Sequence, residues 1–203
     1  MSQGVGLGQG GALSLGKGSP VSEPRNRYST VSLLFHWGTA LLVVTQIVLI
    51  SLHEGVSGSD PDPFIGLHKS TGLLILVLTL ARLGWRFANP AIPLPERTPG
   101  WQKIAARATH VGFYLLLIGL PLGGWAASSA ARRPIEWYGL FEWPLLPLPQ
   151  SRDLARDMMD LHETGVKLLY VLLALHILGA LKHHFVDRDN VLHRMIPLIP
   201  RRP

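Results

Sequence analysis

The chain of 203 residues contains no cysteine. That absence excludes disulfides, iron–sulfur clusters and any cofactor attached through a Cys-x-x-Cys-His motif. Charge is scarce as well. Asp, Glu, Lys and Arg make up 16% of the residues, where a soluble globular domain usually carries about a quarter. Residues 1–20 are rich in glycine and contain no apolar core of signal-peptide length, so they read as a disordered tail and not a targeting signal. No internal repeat of useful length is found.

What the chain does have is apolar residues, at 47%, and they are clustered. Four runs, 31–52, 67–87, 104–127 and 161–185, are each long enough to cross a hydrocarbon layer about 30 Å thick. The expected fold class is therefore an all-α membrane protein, a bundle of four transmembrane helices; a soluble protein with four buried helices is the plainer alternative. The basic residues are sorted by loop. The segments before Val31, from Arg82 to Arg107 and from Lys182 onward hold 13 Lys+Arg against 4 Asp+Glu, whereas the two opposite loops with their helix ends hold 6 against 9. The Lys/Arg asymmetry puts both termini on the cytoplasmic side. The pI near 10.1 thus reports topology and lipid contact, and no basic arm suited to nucleic acid is present.

The expected organisation is a glycine-rich tail over residues 1–26, a transmembrane domain over 27–187 and a basic cytoplasmic tail over 188–203. Arg25 to Ser29 is a basic, aromatic entry suited to anionic headgroups. The proline-rich stretch from Asn89 to Pro99 reads as a stiff connector between helices two and three. Helix three carries Pro121, which should kink it. The longest outer segment, about 128–160, contains Trp137-Tyr138-Gly139-Leu140-Phe141-Glu142-Trp143-Pro144. It is expected to lie against the headgroups as a loop or short interfacial helix.

The chemistry resides in the histidines. The fourth run carries His162 and His176, fourteen positions apart. On one helix that spacing separates the imidazoles by ~21 Å and leaves them only ~40° out of line. One helix therefore offers a nitrogen ligand near each side of the membrane, where ionisable residues are expensive and usually functional. His36 shares the inner depth with His176, and His68 shares the outer depth with His162. Two neutral imidazoles on facing helices make a b-type haem site, with one ligand on each side of the ring. A zinc site would instead gather four ligands at one point, and a lone intramembrane histidine is more often an interhelical hydrogen-bonder. His110 also lies at the inner depth, so three histidines compete for two places. The spacing to His162 favours His176, with His36 as its partner, and leaves His110 a hydrogen bond to a haem propionate or a headgroup. Gly72, Gly165 and Gly179 follow three of these histidines by three or four residues, on the same face, where they would let a flat ring approach; Gly38, at two, does not fit. His53, His183, His184 and His193 fall at or outside the interface.

With these residues in place, the segment from about Arg27 to Pro197 resembles the bacterial cytochrome b561 family, four-helix di-haem cytochromes of the inner membrane. The resemblance rests on Arg27-Tyr28-Ser29 leading to His36-Trp37, on His68-Lys69-Ser70-Thr71-Gly72, on Tyr114 to Pro121, on His162-Glu163-Thr164, and on Lys182-His183-His184-Phe185 followed by Asp189-Asn190 and Arg194-Met195-Ile196-Pro197. It implies two non-covalent haems b with His36, His68, His162 and His176 as axial ligands. Leu161 stands where the family often has tryptophan.

Bis-histidine iron has no open coordination site, so the expected work is single-electron transfer and not oxygen binding. One branch of the family resembles superoxide oxidase, which passes an electron from superoxide outside to ubiquinone in the membrane. Lys69, Arg132, Arg133, Arg152, Arg156 and Lys167 lie on the otherwise acidic outer side and would steer a small anion, or else bind headgroups and pair with Glu136, Glu142, Asp153 and Asp157. The alternative is an anchor subunit passing electrons between quinone and a dehydrogenase, hydrogenase or other periplasmic redox partner. Ser70, Thr71 and Trp143 are candidates for an outer quinone contact. A third class is a haem-free channel or assembly factor whose histidines handle protons or metal.

Overall fold

The computed structural model describes residues 27–56, 62–196 and 198–200. The expected glycine-rich tail lies outside them. Four long helices dominate: α1 (Thr30–Val56), α2 (Pro63–Ala88), α3 (Gly100–Ala130) and α4 (Arg152–Phe185). All four are long and apolar enough to cross a membrane.

Local chemistry sets their ends. Asp62 caps α2 by accepting from the Phe64 N–H at 3.0 Å, with Pro63 in the first turn, where its missing N–H costs nothing. The same carboxylate pairs with His53, tying the end of α1 to the start of α2. Desolvation raises the Asp62 pKa, but hydrogen bonds from His53 and Phe64 more than offset it and hold the group below the usual carboxylate range. Ser151 caps α4 through Leu154 N–H at 3.1 Å, and Lys182, His183 and His184 occupy its last turn, where positive charge complements the helix dipole. This cap starts α4 at Arg152, well before the apolar run at 161.

The outer segment departs from expectation. In place of an interfacial helix, β1 (Ile135–Trp137) and β2 (Phe141–Trp143) pair antiparallel as a hairpin. Alternating large side chains favour a strand here, and the turn is closed by Tyr138 and Gly139, at φ 50° and 72°, the left-handed pair of a tight hairpin turn. Ser70 accepts from the Tyr138 N–H at 3.1 Å and lies 3.0 Å from the Glu136 carbonyl, while the Thr71 hydroxyl meets the Tyr138 hydroxyl at 2.9 Å. The Ser70 and Thr71 hydroxyls are thus committed to holding the hairpin.

The helices pack in sequence order, α1 on α2, α2 on α3 and α3 on α4, with no comparable backbone packing of α4 against α1 or α2. Glycines tighten two of these seams. A Cβ at Gly72 would lie 3.1 Å from the Gln46 amide of α1, and one at Gly165 or Gly112 would come within 2.7 Å of a leucine across the α3–α4 seam. Gly72 and Gly165 therefore serve helix packing; Gly179 has open space beside it. Close approach matters because apolar burial is no driving force in lipid, and dispersion between well-packed helices carries the association.

Val43, Ile75, Leu117 and Leu169, one from each helix, form the buried core with Phe113, Leu116 and Leu120 against it. Each stands seven residues from a histidine of its own helix: His36, His68, His110 and, for Leu169, both His162 and His176. The core is thus an apolar layer midway between two histidine levels, ~10 Å along the helix from each. At the end that the charge distribution assigns to the cytoplasm, called inner below, the C-terminal segment folds back on the bundle. Trp37 donates to the Met195 carbonyl at 2.9 Å, Arg194 to the Pro93 carbonyl at 2.7 Å, and His183 meets the Asp189 carboxylate at 2.7 Å.

Candidate functional site

At the inner level, the rings of His36 on α1 and His176 on α4 have centres 6.2 Å apart. At the outer level, His68 on α2 and His162 on α4 have centres 6.3 Å apart. Two imidazoles on opposite sides of one metal, each with a bond of about 2 Å and a further ~1.1 Å from nitrogen to ring centre, hold their centres ~6 Å apart. Both pairs bridge helices that do not pack directly on each other. Neither pair therefore sits on a tight backbone seam.

His110 on α3 lies 5.7 Å from His176. Its setting is different, because α3 is pressed against α4 at Gly112 and Leu172, leaving no slot between those two backbones. Phe113, 5.4 Å from His176, fills the space beside it.

Hydrogen bonding sets the tautomer at the outer level. His162 Nδ1 is 2.9 Å from the Leu120 carbonyl; a carbonyl only accepts, so the neutral ring carries its proton on Nδ1 and keeps the Nε2 lone pair free. This is the arrangement in which an outer hydrogen bond orients a metal-binding histidine. Gly124 lies beside this bond, where a Cβ would be in ordinary contact at 3.5 Å from His162 Nδ1. Across the pair, the Gln46 side chain donates to the His68 carbonyl at 3.0 Å. At the inner level, Arg82 Nη2 lies 3.3 Å from His36 Nδ1. A guanidinium only donates, so Nε2 coordination by His36 would place a proton on Nδ1 and turn Arg82 to another acceptor. Among the described residues no carboxylate lies in ion-pair range of Arg82; a carboxylate brought by a ligand would fill that role.

The remaining histidines have structural partners: His53 with Asp62, His183 with Asp187 and Asp189, His193 with the Ile199 carbonyl, and His184 against the Phe185 ring. The outer cations do not converge on one spot. Lys69 feels Arg133 and lines a cavity of about 250 Å³ with Asp62, Pro134 and Glu136. Arg132 donates to the Leu148 carbonyl, Arg156 lies 3.6 Å from Asp153, and Arg152 and Lys167 are exposed on α4. Gln46 and the Leu120 carbonyl escape sequence reasoning, because a glutamine or a backbone oxygen carries no signature until its helix neighbour is known.

Histidines paired at two depths of a four-helix membrane bundle define a class of protein, the multi-pass membrane cytochromes that hold their cofactor by side chains alone. Comparison with known proteins narrows it. Residues 27–198 match the family model described as prokaryotic cytochrome b561. The chain is 34% identical over 177 residues to cytochrome b561 homolog 2 of Escherichia coli, covering 84% of this chain and 91% of that one. It is 32% identical over 176 residues to a Yersinia pestis protein named "Probable superoxide oxidase CybB", covering 84% and 96%. A Bradyrhizobium diazoefficiens protein named "Probable Ni/Fe-hydrogenase B-type cytochrome subunit" is 24% identical, with 83% of each chain covered. The chain belongs to the prokaryotic cytochrome b561 family. It is accordingly a multi-pass protein of the bacterial inner membrane that works in electron transport, and the family implies b-type haem.

Proposed function

We propose that this chain binds two haems b, the inner one between His36 and His176 and the outer one between His68 and His162, and passes single electrons between a periplasmic donor and membrane ubiquinone. The observation that carries the reading is the pair of ring separations, 6.2 and 6.3 Å, across two helix gaps served by one shared helix. Haem held by these histidines would supply a one-electron centre, and with two imidazoles on each iron no position would remain for oxygen to bind. The protein's part is orientation and exclusion. Leu120 holds the His162 proton on Nδ1, which raises the basicity of Nε2. Arg82 offers a guanidinium to an anionic edge at the inner level. The layer of Val43, Ile75, Leu117 and Leu169 keeps water and protons from crossing between the levels, so that only the electron passes. Both termini face the cytoplasm on this reading, which the Lys/Arg distribution supports.

Superoxide is the proposed donor. Support comes from the likeness to the Yersinia protein and from Lys69, which lines a cavity at the outer rim and feels the charge of Arg133, with Arg132, Arg152 and Arg156 adding to the field. A superoxide pulse should reduce the haems rapidly, at a rate that falls as salt rises and falls further in a Lys69→Gln/Arg133→Gln variant. Reduction no faster than that of an unrelated bis-histidine cytochrome would end this reading. The second reading, an anchor subunit for a hydrogenase or dehydrogenase, is supported by the Bradyrhizobium relative. It predicts co-purification with a stoichiometric redox partner and no salt dependence toward superoxide.

A further inference from the structure

The hairpin presents one face to the bundle. With Ile135 opposite Trp143 and Trp137 opposite Phe141, these four side chains share a face and Glu136 and Glu142 take the other. Ile135 is buried to 3% exposure and Trp137 and Trp143 are half-buried, so this part of the face turns inward, while Phe141 stays 49% exposed. The hairpin is clasped on both sides of the outer histidine pair. On one side Ser70 and Thr71, just after His68, hold Tyr138. On the other, Trp125 donates to the Pro144 carbonyl at 2.9 Å and meets the Trp143 ring at 5.9 Å; Trp125 directly follows Gly124, which faces His162.

On that face, the indole nitrogens of Trp137 and Trp143 are both buried and have no hydrogen-bond partner among the described residues. Their ring centres are 6.4 Å apart. Other tryptophans in the chain do find acceptors: Trp37 at Met195, Trp85 at Ser32 and Trp125 at Pro144. An indole N–H buried without an acceptor gives up the hydrogen bond it makes to water in the unfolded chain and gains none in return. Two such donors together, on the inner face of an element clasped around a ligand pair, indicate an acceptor that the polypeptide does not supply.

We propose that Trp137 and Trp143 form a two-donor cradle for a propionate carboxylate of the outer haem, so that the hairpin binds the cofactor's polar edge as well as covering it. The inference rests on the assignment of the outer haem to His68 and His162. A carboxylate is favoured over the carbonyl of a quinone because hydrogen bonds to a charged acceptor are about twice as strong. Such bonds would best offset the burial of two donors and an anion at one place.

The test uses the haem-loaded protein and a Trp137→Phe/Trp143→Phe variant, which keeps the aromatic packing and removes both N–H groups. Wild-type protein must first show two haems per chain; a single haem there would remove the underlying assignment before the cradle is tested. The variant should retain two haems, shift the outer haem to a lower midpoint potential because its propionate charge is less neutralised, and shift the propionate bending band in resonance Raman spectra. Should the double variant fail to fold, ultraviolet resonance Raman of the wild-type indole N–H marker, compared between haem-free and haem-loaded protein, gives the same answer: loading should produce stronger hydrogen bonding. An unchanged potential and propionate band in the variant, or an unchanged indole marker on loading, would overturn the proposal. A raised KM for quinone with no change at the haem would overturn it in favour of a quinone carbonyl as the acceptor.

Discussion

Gly124 is the position where a small change should act on one haem and spare the other. A Cβ built there lies 3.5 Å from His162 Nδ1 and 3.6 Å from Cε1, ordinary contact distances, so Gly124→Ala should be nearly silent. Valine adds two γ-carbons about 1.5 Å beyond Cβ, which brings them against the imidazole and forces it to turn. Turning breaks the 2.9 Å bond to the Leu120 carbonyl. Losing such an outer contact typically weakens metal binding 10–100-fold, or about 1.4–2.8 kcal/mol. Haem titration into the haem-free protein, with haem transfer to a competing apoprotein as a second measure, should find one of two sites weakened by that factor in Gly124→Val. Equal weakening of both sites, or alanine acting as strongly as valine, would refute the steric argument.

Gln46→Leu removes the donor to the His68 carbonyl at the tight Gly72 contact; we expect a loss of about 1 kcal/mol in bundle stability and an altered electron paramagnetic resonance signal from the outer haem alone, and an unchanged signal would show that Gln46 does not orient His68. At the inner end, the Lys182 ammonium holds the Asp187 carboxyl below its usual range. A depressed folded pKa contributes stability above the unfolded value and loses it as pH falls through the folded one, so proteolysis after α4 should stay slow at neutral pH and accelerate only in acid below about pH 4. Cleavage that accelerates near pH 6 would contradict this. Because the chain has no cysteine, single cysteines at Arg97 and Arg132 can be labelled against no background: in oriented membranes Arg132→Cys should react from the periplasm and Arg97→Cys only from the cytoplasm, and the reverse would invert the topology.

The features legible in the sequence are those fixed by helix periodicity. Run length gave the four spans, and the fourteen-residue step between His162 and His176, taken with the direction of each helix, set His36 level with one and His68 level with the other; it did not separate His36 from His110, which also lies beside His176. Features that depend on what lies across a seam were not legible. Trp137 to Trp143 has the same aromatic content whether it forms an interfacial helix or a hairpin, and only the left-handed turn at Tyr138 and Gly139, pinned by Ser70, decides for the hairpin. The spacing of the glycines after the histidines suggests cofactor room, and it carries no sign that Gly72 and Gly165 also admit Gln46 and Leu120 from neighbouring helices. Ser151 started α4 nine residues before its apolar run because a helix cap acts on backbone N–H groups and is indifferent to hydropathy.

Haem content per chain tests the central claim most directly, measured on wild-type protein supplied with excess haem and on five single variants. The account predicts two equivalents in wild type and in His110→Ala, and one in each of His36→Ala, His176→Ala, His68→Ala and His162→Ala, with the inner haem lost in the first two and the outer in the last two. One equivalent in wild type, or two retained by His36→Ala with one lost in His110→Ala, would contradict it.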